Sequence, residues 1–184
     1  MTRNEIEQRL IGAHCRRHHD YWWELRARSG DAIPTRGMFD PAQVKTVLPF
    51  VLLHDLSQPD KSILRLIGTA ISERFGFDPT GRDYLEFVSE DRRATAYRAL
   101  WNTATQPCGM RVVIEARYRS GKRTVGESMG YPLTGSRGQP LMMFVDELIE
   151  KDVHDLDQRA QPLDLFHVRE RDFVDVGFGV PEPV

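Results

Sequence analysis

Apolar positions change period along the chain, from three- and four-residue spacing near the start to strict alternation after Gly109. Ile6, Leu10, Ala13, Tyr21 and Leu25 recur at helical multiples, with Arg and Glu on the other faces, so the spacing predicts one long helix from Arg3 to Ser29, stopped at Gly30. Asp40 before Pro41 predicts the N-cap and first residue of a short helix ending before Pro49, since proline there gives up a donor that has no partner anyway. The runs FVLLHDL (50–56) and ILRLI (63–67), joined by a Ser-Gln-Pro-Asp turn, predict a β-hairpin. Two short helical turns follow, at Ile71 to Phe75 and Tyr84 to Val88. Ser89 then caps a longer helix whose first turn carries Glu90 and Asp91, where acidic side chains complement the helix dipole. Its apolar stripe is Ala94, Tyr97, Leu100, Trp101 and Ala104, and Pro107 with Gly109 ends it.

Beyond that point Met110, Val112, Ile114, Ala116 and Tyr118 alternate with Arg111, Val113, Glu115, Arg117 and Arg119, a period of two that predicts a half-buried strand. Ser120-Gly121-Lys122 supplies a turn. In the partner strand, Arg123 to Leu133, Val125, Glu127, Met129 and Tyr131 share one face, while Thr124, Gly126, Ser128 and Gly130 on the other leave space beside them. Leu141 to Val145 adds a fifth strand. The order predicts an α+β fold, a five-stranded antiparallel sheet with helices on one face and a long N-terminal helix in addition. It divides as an N-terminal helical extension over 1–37, a central domain over 38–150 and a tail over 151–184, whose Phe166, Phe173, Val174, Val176 and Phe178 are apolar enough to dock on the domain or on a partner.

Composition narrows the function classes. With 40% hydrophobic and 28% charged residues and a formal net charge of −2, the chain has an ordinary globular balance and no field that selects nucleic acid or membrane. Two cysteines, Cys15 and Cys108, are too few for a disulfide scaffold and fit a reducing cytoplasm. The first twenty residues are broken by charge, unlike a signal peptide, and no apolar run reaches membrane-spanning length.

Phe39-Asp40-Pro41, the LPFVLLHDL strand, the RLIGT strand end at Arg65 to Thr69, Phe75-Gly76, Thr80-Gly81-Arg82 and Ser89 to Arg92 occur in an order that resembles the PAS fold, and within it a bacterial PAS-type family long catalogued as a domain of unknown function. The resemblance covers residues 38 to 150. It implies a non-enzymatic sensory or signalling domain that binds a small molecule between sheet and helices, relays signals by protein–protein contact, or both. With no kinase, cyclase or DNA-binding segment visible, the expected route runs through the N-terminal helix or the apolar tail to an unidentified signalling protein. PAS domains commonly dimerise through such N-terminal helices, so the resemblance also implies a homodimer. Strand alternation and the helix stripe nominate Leu64, Leu66, Phe75, Trp101, Val112, Ile114, Met129 and Tyr131 as ligand-binding residues. The competing expectation is a structural adaptor whose core is filled.

The resemblance does not point to a chromophore. PAS relatives that bind flavin for photochemistry carry a cysteine just after a Gly-Arg-Asn turn, whereas Gly81-Arg82-Asp83 is followed by Tyr84, so a cysteinyl-flavin adduct is not expected. Haem-binding PAS domains present a histidine from the long helix, and Glu90 to Gln106 has none. The cofactor, if any, is left open.

Other motifs read more blandly. His14 and His18 fall on one helical face, but Cys15 lies about 100° away around the helix, so no third metal ligand can be named. Tyr21, Trp22 and Trp23 anchor their helix to the sheet or to a second copy. Arg16, Arg17, Arg26 and Arg28, and Arg111, Arg117, Arg119, Lys122 and Arg123, are interleaved with Asp20, Glu24, Glu115 and Glu127, a solvated pattern without a recognition helix. Ser128, His54, His154, His167, Asp55 and Glu127 match no catalytic motif, which leaves an enzyme with an unrecognised site as a minor alternative.

Overall fold

Thr2 opens the first helix with a reciprocal cap: its Oγ1 accepts from the Glu5 N–H at 3.4 Å while its own N–H donates to Glu5 Oε2 at 2.7 Å. A computed structural model describes residues 1–118, 123–151 and 163–182. Helix α1 (Arg3–Arg9) stops at Leu10, whose backbone is extended, and α2 (Ala13–Arg28) begins after Gly12. The long helix expected from Arg3 to Ser29 is therefore two. Periodicity does not register the break, because Ile6 and Leu10 bury into the same cluster as Tyr21, Trp22 and Leu25 of α2.

Three 3-10 turns lead to β1 (Val51–Asp55); in the second, Asp40 caps as expected, its Oδ1 accepting from the Ala42 N–H at 2.9 Å. Strands β1 and β2 (Ile63–Ile67) form the hairpin. Gly68 then turns the chain into α3 (Thr69–Phe75). A Cβ at this position would stand 2.3 Å from the Pro49 carbonyl oxygen, so the close backbone approach admits only glycine. Helix α4 (Glu90–Thr105) leads to β3 (Cys108–Tyr118), β4 (Arg123–Thr134), β5 (Pro140–Lys151) and β6 (Leu163–Asp175). The Ser120–Lys122 turn, His154 and Pro162 lie outside the described residues.

The fold is α+β and PAS-like, with an all-antiparallel sheet in the order β2-β1-β5-β4-β3-β6. The structure adds a sixth strand to the expected five. Strand β6, from the tail, pairs along the length of β3, and Phe173, Val174 and Val176 bury there. It also places α1 and α2 on the opposite side of the sheet from α3 and α4. Strand alternation makes both faces apolar: Val51, Leu53, Met129, Tyr131, Met143 and Val145 meet α2, whereas Leu52, Met110, Val112, Ile114, Met142 and Phe144 meet α3 and α4.

Candidate functional site

Between the sheet and the α3/α4 layer lies a cavity of about 80 Å³. Its floor comes from Leu52 and His54 of β1, Met110, Val112 and Ile114 of β3, and Phe144 of β5; Ile71 and Phe75 of α3 and Ala96, Ala99 and Leu100 of α4 cover it. The small residues of β4 bear on this space as their alternation suggests. Ser128 lines the cavity, but the room above Gly130 is taken by the Phe144 ring, where a Cβ would come within 2.2 Å.

Polar groups converge on this apolar chamber. Arg74 donates to Asp146 Oδ1 at 2.8 Å and to the Asp146 carbonyl at 2.9 Å, so those two charges offset each other. His54 Nδ1 lies 2.8 Å from Ser62 Oγ, and burial pushes this imidazole down to about 3, so it is neutral at pH 7. Burial raises the Tyr84 hydroxyl to about 12. Arg171 of β6 completes the wall: pairing opposite Val112 puts it on the cavity face, and its Nε is buried without a hydrogen-bond partner. Tyr84, Ala96, Val168 and Arg171 also line an adjoining outer recess of about 300 Å³ that reaches Arg92 and Arg169.

The nominated residues separate into groups. Phe75, Val112 and Ile114 come together around the cavity. Met129 and Tyr131 point to the other face, where Trp22 stacks on Tyr131 with ring centroids 4.5 Å apart. Leu64 is fully buried, its backbone bonded to Gly81 and Arg82. Leu66 is 37% exposed. Trp101 stacks on Tyr97 on the outer side of α4 with ring centroids 5.9 Å apart, because the inward stripe of that helix is Ala99, Leu100 and Thr103. Sequence reasoning nominated none of the polar residues of the cavity, His54, Arg74, Tyr84, Ser128, Asp146 and Arg171, as ligand-binding, and passed over apolar ones such as Leu52, Leu100, Met110 and Phe144 as well. Alternation in β3 and β4 was a usable signal for Ser128, and nothing local marked the other polar ones.

The α1/α2 face is built differently. Glu127, fully buried, accepts from the N–H groups of Ile11 at 2.9 Å and Gly12 at 2.7 Å and from Arg111 Nε at 2.7 Å, while Glu147 accepts from the His14 N–H at 2.8 Å. Sheet carboxylates thus satisfy the exposed donors at the start of α2. A Cβ on Gly12 would stand 2.4 Å from Glu147 Oε2. Arg111 Nη1 also donates to Glu170 Oε2 at 2.9 Å and Asp172 Oδ2 at 3.1 Å. The histidines of α2 serve this packing: His18 Nε2 meets the Met143 carbonyl at 3.0 Å, and His19 Nδ1 meets Tyr131 Oη at 2.7 Å. The Cys15 thiol donates to the Glu127 and Val145 carbonyls. Among the described residues no cluster of three or more His, Cys, Asp or Glu side chains could hold a metal ion, and no helix is long and apolar enough to cross a membrane.

The cavity does not fit a cysteinyl-flavin. Its volume is several-fold below the roughly 300–1,000 Å³ of typical cofactor pockets. Tyr84 lines it, while Cys15 lies on the opposite face and Cys108 outside the lining.

No curated protein matches the chain. Among solved structures it is similar to a light-oxygen-voltage domain studied with a flavin analogue, at 15% identity over 60% of this chain and 84% of that one, with a TM-score of 0.46. The blue-light photoreceptor Aureochrome1 LOV domain in its light state gives 16% identity, coverage of 61% and 89%, and a TM-score of 0.44. The LOV protein of Rhodobacter sphaeroides gives 14%, coverage of 62% and 71%, and 0.45. A family-wide sequence model described as PAS domain matches residues 13–145, reaching back from the 38–150 span into α2 and running through most of the sheet. That match covers well over half of the chain, which therefore belongs to the PAS domain family.

Proposed function

We propose that this PAS domain is a cytoplasmic, non-enzymatic sensory module that takes a small molecule into the α3/α4 cavity and passes the event on by protein contact. The observation that carries the reading is the cavity itself, an apolar chamber on which a few polar groups converge, the usual form of a ligand site. Strand β6 offers a route outward. Arg171 faces the cavity, while its neighbours Glu170 and Asp172 bond Arg111, and Asp172 also pairs with Arg9 of α1 at 2.8 Å. A ligand that favours one position of β6 therefore biases the packing of α1 and α2, in proportion to its preference for that arrangement. Dimerisation through the N-terminal helices belongs to the same proposal. Because Tyr21 and Trp22 are buried in the chain's own core, the contact falls to the polar outer side of α2. Light scattering tests it, and the mass of one chain at micromolar concentration overturns the dimer.

The small size of the cavity supports one rival, an adaptor with a filled core. Native mass spectrometry of protein purified from cells, followed by thermal shift against metabolite fractions, separates the two. A bound small molecule, or a melting temperature that rises with ligand concentration, supports the sensor, because ligand at a hundred times its Kd stabilises the native state by about 2.7 kcal/mol. No bound mass and no shift with any fraction selects the adaptor.

A further inference from the structure

Resting on that sensory reading, we infer that the cavity selects a short-chain monocarboxylate, its carboxylate held by Arg171 and its hydrocarbon body lying among Phe75, Val112 and Ile114. A charge inventory leads there. Arg74 and Asp146 neutralise one another, and His54 and Tyr84 are uncharged at pH 7. Arg171 is left as a cation that forms no salt bridge among the described residues, its Nε out of water and without a hydrogen-bond partner. The other arginines of this strand region are engaged: Arg169 pairs with Glu115, and Arg111 with Glu127, Glu170 and Asp172. Arg171 is half-buried, and a guanidinium whose Nε is shut from water without a partner is costly; the planar fork that would satisfy it is a carboxylate. Burial also works against the charge of Arg171, a penalty that an incoming anion removes.

Size and polarity limit the rest of the ligand. At roughly 10–15 Å³ per water, about 80 Å³ holds a body of only a few heavy atoms. One net positive charge, in a lining whose other polar groups are neutral or paired with each other, matches one negative charge on a short aliphatic stem. The recess shared through Tyr84, Val168 and Arg171 is also lined by Arg92, Arg169 and Glu170; Arg169 is paired with Glu115 and Glu170 with Arg111, which leaves Arg92 and Arg171 to meet an anion there. Arg171 lies beyond the 13–145 stretch of the family match, so this selectivity comes from the added strand.

Calorimetry with propionate and butyrate against propionamide and butyramide at matched ionic strength, on the full chain, decides the matter. The expected result is saturable binding of a carboxylate, weaker by about tenfold or more for its amide and for Arg171→Met, as loss of a charged hydrogen bond implies. The ligand-free melting temperature of Arg171→Met shows whether it is folded, and Val112→Phe, which fills the cavity but keeps the arginine, must also lose binding. Equal binding of acid and amide, or wild-type affinity in folded Arg171→Met, overturns the inference. If both carboxylates fail while native mass spectrometry finds a neutral resident molecule, the carboxylate class falls and the sensory reading stands. If nothing binds at all, both fall.

Discussion

Arg111 and Arg171 stand on adjacent strands and face opposite sides of one sheet, and their surroundings have almost nothing in common. Arg111 reaches three carboxylates, one of them fully buried, and through Glu127 holds the start of α2. Arg171 reaches none among the described residues. One face commits its carboxylates and Arg111 to joining helix to strand, and the atoms left there without a partner, His18 Nδ1, His19 Nε2 and Trp23 Nε1, carry no charge. The other keeps a cavity and a cation whose Nε has no partner.

The largest test of that contrast is Arg111→Met. It leaves Glu127 buried without its counter-ion, and a loss of about 3–5 kcal/mol is expected in denaturant unfolding. A loss under 1 kcal/mol would mean that the helix face is not held together in this way.

Acid comes next, and each face contributes a histidine. Burial lowers His18 to about 4 and His54 to about 3, from 6.5 when unfolded. Because both folded values are depressed, the stabilisation is complete above pH 6.5 and is lost as pH falls from there towards the folded values, when the unfolded chain takes up protons first. At pH 5 each histidine costs about 2 kcal/mol, so melting temperature should drop between pH 7.5 and 5. His54→Gln should remove the cavity-side share, and an unchanged drop in that variant would count against its burial.

One pair of identical substitutions compares packing directly. Val145→Phe, in the filled face, should cost about 1–3 kcal/mol by overpacking, while Val112→Phe, at the cavity, should cost less than about 1 kcal/mol. Equal penalties would erase the distinction. The smallest effect belongs to Arg171→Met, expected to change stability by no more than about 0.5 kcal/mol or to raise it, since no partner is lost.

Much of this fold was legible in the sequence, and the illegible parts share a cause. The β1–β2 hairpin, α3, α4 and the alternation of β3 and β4 followed from turn residues and period, which are local properties. Strand β6 was not recognisable, because Arg169, Glu170, Arg171 and Asp172 interrupt its apolar residues on both faces, and the partners of Arg169, Glu170 and Asp172 are distant in sequence. The side to which Met129 and Tyr131 point was equally hidden. Alternation separates two faces but does not say which layer covers each, and here both are covered. Phe75, Val112 and Ile114 were reachable by such reasoning. His54, Arg74, Asp146 and Arg171 were not, since their meeting depends on the strand order.

The strand order also bears on synthesis. Val51 of β1 pairs with Val145 of β5, and β3 gains its outer neighbour only from residues 163–175. A growing chain therefore carries helices that cover both faces before most of the sheet exists, and an unpaired edge on β3 until β6 has been made; such non-local pairing folds slowly. Arg171 lies in the last-made strand of this sheet, so a product truncated before β6 lacks the cation and does not acquire the complete pocket.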